Sequence, residues 1–217
     1  MSASSENRGE LVAGLAAGIG VLGLNLSEAQ QQNLMAYLDL IQKWNKVYNL
    51  TALRDPADML THHLLDSLTA IAPLRLHTQG QPIRVLDVGS GTGILAIMAH
   101  LLGAKEVEAF DIDDWCVDNG NENFDLNGLT TRMGLGTIRQ VNPQGPFDIV
   151  LANINKNVLL DEMAIYAGLL LSQGHLLLSG FYTQDIDDLV KAAKPLGLNL
   201  IKSSDKDNWA SLILQKE

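Results

Sequence analysis

The chain has 217 residues, of which 47% are hydrophobic and 18% charged, so it is long enough to bury a core and is neither disordered, collagen-like nor low-complexity. A single cysteine, Cys116, excludes an internal disulfide and points to a reducing cytoplasm. Fifteen Lys+Arg against 25 Asp+Glu give a net charge of −10, with −2 in residues 1–80 and −8 in residues 81–217; a protein built to grip phosphate backbones is expected to be basic, although ordinary solubility charge explains the acidity equally well.

Residues 11–24 (LVAGLAAGIGVLGL) carry no charge. The preceding flank sets Arg8 against Glu6 and Glu10, so it lacks the positive start of a signal peptide. The run is shorter than the roughly 18 apolar residues that mark a bilayer span. Four glycines weaken it as an isolated helix. The expectation is a short buried helix and turn, with a cleaved signal and a membrane-surface segment as alternatives. Ser27 and Gln30 form a capping box, and Leu34, Leu38, Ile41 and Val47 follow near helical spacing. Asp55-Pro56 opens a second helix, with Pro at its tolerated first position; Met59, His63, Leu64, Ser67, Leu68 and Ile71 share a face. Residues 10–74 therefore read as helical, and 75–82 (RLHTQGQP) as a linker.

After Pro82 short apolar runs alternate with helical stretches. The strands are expected at 83–88, 107–112, 147–153, 175–180, 198–203 and 210–215, and the helices at about 93–103, 114–127, 156–171 and 183–195. That alternation implies a mainly parallel α/β sheet with helices on both faces. The last two strands are separated by about six residues, too few for a parallel crossover, so they are expected to pair antiparallel.

Asp87-Val88-Gly89-Ser90-Gly91-Thr92-Gly93 follows the first strand and opens a helix. Glycines there permit a tight turn and close approach of a ligand to the backbone. The second strand ends in Phe110-Asp111-Ile112-Asp113. Asp111 lies 18 residues after Gly93, near the spacing of a ribose-binding acid; the alternative is that it caps the next helix. Asp113 and Asp114 are better cap candidates, and Asp118 reads as a solvated helix face. The loop is neither a Walker pattern nor the G-x-G-x-x-G of nicotinamide enzymes.

The form D-x-G-x-G-x-G, with an acid at the end of the second strand, resembles the class I S-adenosylmethionine-dependent methyltransferases. The resemblance implies a Rossmann-like seven-stranded sheet with an antiparallel edge. It also implies S-adenosylmethionine as cofactor, held by Asp87, Gly89, Ser90, Gly91, Thr92, Gly93, Asp111, Ile112, Gly136, Thr137 and Asn153. In it the glycines pass the methionine half, Asp111 holds the ribose, and Gly136-Thr137-Ile138 borders the adenine.

Two narrower resemblances cover different parts of the chain. Lys43-Trp44-Asn45-Lys46-Val47-Tyr48-Asn49-Leu50-Thr51 and His63-Leu64-Leu65-Asp66-Ser67, within residues 26–68, are similar to the small-subunit rRNA methyltransferase G family, whose members modify a guanine at N7. From about residue 85, Gly89–Ile97, Gly103-Ala104-Lys105, Asp111-Ile112-Asp113, Ala152-Asn153-Ile154 and Gly174–Gly180 resemble the ribosomal protein L11 methyltransferase family. The Ser-Arg-Ala expected by the first family is Ala152-Asn153-Ile154 here. The recognition domain of the second is not visible. The chain therefore reads as a chimera joined around 80–90, natural or constructed, with a helical cap over 1–80 and a methyltransferase core over 81–217.

Methyl transfer from a sulfonium needs alignment more than acid–base groups. The L11 resemblance makes Asn153 the catalytic residue, its side-chain carbonyl directed at a target amine; tying down a loop is the equally weighted alternative. No metal site is expected: Asp66 lies at i+4 from His62 and i+3 from His63, and neither pair has an evident third ligand or open position. Trp44 and Tyr48 could stack a base, but helical spacing already explains them as core. Cys116 has nothing basic nearby to activate it, and Asp185, Asp187 and Asp188 read as a solvated acidic helix start. The expected function is methylation of a ribosomal protein or rRNA, with no membrane partner; the alternative is a fold that binds the cofactor or its demethylated product without a competent substrate site.

Overall fold

The computed structural model describes residues 3–48, 55–65, 82–206 and 208–217. Three helices come first: α1 (Ala3–Val21), α2 (Glu28–Tyr48) and α3 (Pro56–Met59), the last widening into a π-helical stretch, Leu60–Leu65. Then β1 (Arg84–Val88), α4 (Ile94–Leu101), β2 (Glu106–Asp111), α5 (Asp114–Leu126), β3 (Gly134–Leu135), α6 (Ile138–Val141), β4 (Phe147–Asn153), α7 (Lys156–Leu169), β5 (Leu170–Tyr182), α8 (Ile186–Ala193), β6 (Leu198–Lys206) and β7 (Trp209–Lys216) alternate.

The seven strands lie in the order β3-β2-β1-β4-β5-β7-β6. β1 to β5 pair parallel, and β7 runs antiparallel between β5 and β6. The expected antiparallel hairpin is therefore present, but its turn is tighter than six residues: β6 ends at Lys206 and β7 starts at Trp209, with Asn208 at φ 70°. The strand absent from the sequence reading is β3, only two residues long.

Both faces of the central strands are covered, which is why their sequences run apolar without alternation. Val85, Ile149, Leu151 and Leu177 join the cluster under α1, α2, α3 and α4, whereas Leu86, Val88, Val150, Ala152, Leu176 and Leu178 join the cluster under α7 and α8. The amino-terminal helices share the first cluster: Leu11, Leu15 and Ile19 of α1, and Leu34, Leu38 and Ile41 of α2, meet Leu95, Ala96, Ile97 and Met98 of α4. Each fully buried Leu or Ile is worth about 1.5–3 kcal/mol.

α1 begins well before residue 11, and Arg8 in its polar first half pairs with Asp39 of α2. Two of the four glycines face the π-helical stretch: a Cβ on Gly14 would lie 3.2 Å from Leu60 Cδ2, and one on Gly18 2.5 Å from Leu65 Cδ2, whereas Gly20 and Gly23 meet nothing within 4 Å. The expected capping box closes α2: Ser27 N donates to Gln30 Oε1 at 2.8 Å, and Gln30 N to Ser27 Oγ at 3.3 Å. Asp55 caps α3 by accepting from Ala57 N at 2.8 Å. The linker residues 75–81, with Ser67, Leu68 and Ile71, lie outside the described residues. Among the described residues no helix is long and apolar enough to cross a membrane.

Candidate active site

The strand order reverses between β1 and β4, so the crevice beyond their carboxyl ends is where a ligand of a doubly wound sheet binds. The loop 89–93 leaves β1 at that point. Gly89, Gly91 and Gly93 all have positive φ, at 63°, 55° and 81°. Gly93 fills this role for packing: an added Cβ would sit 2.6 Å from Phe124 Cε1. At Gly91 an added Cβ would meet nothing within 4 Å, so that side of the loop is open.

Behind the loop every turn is tied down. Asp87, 1% exposed, accepts Ser90 Oγ at 2.5 Å and Ala96 N at 3.0 Å through one oxygen, joining the loop to the first turn of α4. Burial pushes the Asp87 carboxyl up to about 6, with Asp111 raising it further and the two hydrogen bonds opposing. Thr92 is held twice. Its Oγ1 lies 2.6 Å from the Tyr37 hydroxyl of α2, and its carbonyl accepts from Asn123 Nδ2 of α5 at 2.8 Å.

Asp111 is the point at which three loops meet. Its Oδ2 accepts Gly91 N at 2.8 Å, its Oδ1 accepts Asp113 N at 3.0 Å, and its carbonyl accepts Gly136 N at 2.8 Å. Asp113 occupies the cap position of α5 without a side-chain capping bond, and Asp114 accepts from Trp115 N at 2.7 Å. Beside Asp111, Ile112 is 67% exposed and Leu135 at the end of β3 is 58% exposed, two apolar side chains facing solvent where the sheet ends. Thr137 starts α6 through a capping box with Gln140.

Asp111, Asp113 and Cys116 each offer a ligand atom within 4.8 Å of the others. Burial, then the two carboxylates, push the Cys116 thiol up to about 12, so a thiolate ligand would have to form against that shift. The side chains of His62, His63, Trp44 and Tyr48, and all of Asp66, fall outside the described residues.

Asn153 ends β4 and is exposed. Its Oδ1 lies over Gly180, where a Cβ would come within 2.9 Å of it; Gly180 also has φ 87° and stands beside a bulge in the β5–β7 ladder. Ile154 packs on Gly89, and Asn155 caps α7 by accepting from Val158 N. Lys156 donates to Asp185 at 2.9 Å and Asp188 at 2.7 Å, which raises the lysine and lowers the Asp185 carboxyl. Asp185 and Asp188 are thus ion-paired rather than merely solvated. Tyr182 and Trp209, both exposed, stack with centroids 4.6 Å apart at the same end of the sheet.

The structure brings Asp87, Gly89–Gly93, Asp111, Ile112, Gly136 and Thr137 to one end of the sheet, with Asn153 at the end of the adjoining β4. Tyr37, Asn123, Leu135 and Gly180 were not singled out for the site by sequence reasoning. Tyr37 had one signal: it lies beside the buried face of α2, and a buried phenol needs a hydrogen-bond partner.

The strand order, the glycine loop and the acid ending β2 define a class I methyltransferase fold. The ribosomal protein L11 methyltransferase (PrmA) model matches residues 61–217, beginning ahead of the glycine strand. The chain belongs to the ribosomal protein L11 methyltransferase family. A ribosomal protein L11 methyltransferase of Porphyromonas gingivalis is 47% identical over 154 residues, covering 70% of this chain and 52% of that protein. A ribosomal RNA small subunit methyltransferase G of Acidovorax ebreus is 43% identical over 147 residues, covering 61% of this chain and 62% of that protein. The two matches together exceed the chain, so they overlap. The crystal structure of a ribosomal protein L11 methylase from Lactobacillus delbrueckii subsp. bulgaricus superimposes with a TM-score of 0.62 at 29% identity, over 70% of this chain and 80% of that one. A magnesium protoporphyrin IX methyltransferase from Synechocystis, solved with bound SAM, shares the fold at 17% identity, with a TM-score of 0.61 over 85% of this chain and 97% of that one. The chain spans about half the length of the L11 relatives it matches.

Proposed function

We propose that the chain is an S-adenosylmethionine-dependent methyltransferase acting on the translation apparatus, with a protein amine preferred over rRNA. The observation that carries this reading is the loop at Gly91: it is fixed from behind, open in front, and joined through its N–H to Asp111. A ligand can approach the backbone there without displacing a side chain. In this reading Gly89, Ser90, Gly91, Thr92 and Gly93 pass the methionine half, and Asp87 props them from inside. Asp111 retains acceptor capacity on both oxygens for ribose hydroxyls. Ile112 and Leu135 flank the adenine, bordered by Gly136 and Thr137.

The bound cofactor supplies an electrophilic methyl on a sulfonium. Asn153 Oδ1 accepts a hydrogen bond from the target N–H, which points the nitrogen lone pair at the reacting carbon. The proton lost from the methylated nitrogen passes to solvent, to which Asn153 is exposed. Two features support a protein target. The core carries −8, which opposes a polyanion, and Ala152-Asn153-Ile154 stands where the rRNA family is expected to carry an arginine. Residues 1–80 then act as a helical cap on a core over 81–217, the two being a hybrid of family parts, and the setting is cytoplasmic.

Titration calorimetry with S-adenosylmethionine, followed by transfer of labelled methyl to ribosomal proteins and to bare ribosomal RNA in parallel, tests the proposal. Binding with label in protein supports it. Absence of heat removes the cofactor, and label in RNA alone reverses the substrate.

A further inference from the structure

We propose that Tyr37 is a positioning residue: its hydroxyl, supplied by the amino-terminal cap, fixes the conformation of the cofactor loop. The consequence for cofactor affinity rests on the function proposed above.

The phenol reaches Thr92 across 55 positions of sequence, at 2.6 Å, and Tyr37 is 1% exposed. Burial raises its pKa, so it stays a neutral hydroxyl that can donate or accept throughout the working range. Thr92 sits between Gly91 and Gly93, two residues with positive φ and no side chain to hold them. Such a segment is costly to order, because glycine loses the most backbone freedom. Fixing Thr92 therefore steadies the N–H groups on either side of it, of which Gly91 N donates to Asp111 Oδ2 and Gly93 N to Ser90 O, both at 2.8 Å.

The loop's other anchors hold its backbone, as Gly93 N does in donating to Ser90 O, or the neighbours of Thr92. Asn123 takes the Thr92 carbonyl and also donates to Asn119 Oδ1 at 3.2 Å, so one hydrogen-bonded chain runs from α2 through the loop into α5. Asp87 acts two residues earlier, on Ser90, and Asp111 on Gly91. Tyr37 is the anchor of the Thr92 side chain.

α2 does not need this hydroxyl to stay in place. Leu34, Met35, Leu38 and Ile41 hold it in the core, and Gln30 Nε2 donates to Leu101 O at 3.0 Å at its start. The ring of Tyr37 contributes apolar burial whether or not it carries oxygen. The hydroxyl is thus spare for folding and specific for the loop, and the cap acts on the core through one oxygen atom.

The test compares the full chain with Tyr37→Phe, Thr92→Val and the double variant. Two readouts are taken: amide hydrogen exchange across the chain, and the Kd for S-adenosylhomocysteine. Tyr37→Phe is expected to speed exchange of the Gly91, Thr92 and Gly93 amides roughly fivefold, and to leave the α2 core and the central strands unchanged. The Kd rises by a similar factor. Thr92→Val gives the same pattern from the other side of the bond, and the double variant is no worse than either single. Loop exchange that is unchanged overturns the proposal whether or not cofactor binds. So does exchange that rises uniformly, because that is a loss of global stability. A wild type with a protected loop that takes up no cofactor overturns the proposed function instead, while the exchange comparison still decides the role of Tyr37.

Discussion

At the glycine loop the groups turned toward the protein are tied from within: Ser90 by Asp87, Thr92 by Tyr37 and Asn123, Gly91 by Asp111. At the end of β4, by contrast, Asn153 is exposed, and its surroundings are a bulged strand, a stacked aromatic pair and an ion pair near the surface. The first half is preorganised before any ligand arrives, so its binding energy is not spent on ordering. The second half is shaped by what docks onto it. A cofactor common to a whole class suits the first arrangement, and a substrate that differs between families suits the second.

The largest expected effect is on the buried side. Gly93→Ala combines a left-handed backbone with a clash against the Phe124 ring and is expected to cost about 3 kcal/mol, read by urea unfolding. Gly91→Ala has open space and is expected to cost only about 1–2 kcal/mol while weakening cofactor binding. Equal costs would mean that the two glycines do not divide fold from site. On the exposed side, Asn153→Ala is expected to lower methyl transfer roughly hundredfold, and cofactor affinity much less; an equal loss in both would move Asn153 into the cofactor half.

Asp87 sharpens the contrast through pH. Its native carboxyl is raised to about 6 from 3.8, so between those values the folded chain keeps a proton that the unfolded chain releases. Its contribution to stability is full below about pH 4 and is lost as pH rises through 6. Asp87→Asn keeps an oxygen for Ser90 and Ala96 and is expected to remove that fall, on the order of 2 kcal/mol, from the pH dependence of unfolding. An unchanged profile would show that Asp87 is not the titrating group. Asp111→Ala is expected to weaken cofactor binding at least tenfold, on the order of 1.4 kcal/mol; unchanged affinity would remove Asp111 from the ribose role.

The preorganised half was also the more legible one. Gly89–Gly93 and Asp111 announce themselves because a positive φ and a strand-end acid restrict residue choice locally. The central strands were readable for a similar reason, since burial on both faces leaves a plain apolar run, and β4 falls where expected at 147–153. β3 was not readable, because two residues hold no periodicity and exist as a strand only through pairing with Phe110 and Asp111. The ion pair of Lys156 with Asp185 and Asp188 joins residues about thirty apart, a distance that charge patterning along one helix does not span. Tyr37 escaped for the same reason: its partner is set by how α2 lies on the sheet, not by its neighbours in sequence.

The two borders of the sheet differ in how much open strand they offer to another chain. An open strand is a template for another chain. On one side the border is β3, two residues long and too short to recruit a partner. On the other it is β6, nine residues long, with Leu200 and Ile201 exposed. There the ladder slips between Leu200 and Lys202, leaving Ile201 as an extra residue and placing an exposed lysine next to it. Such a bulge twists the strand out of register for continued pairing, and the charge repels a second copy laid against it. One border is blunted by brevity and the other by irregularity and charge, two ways in which an open sheet avoids edge-to-edge pairing.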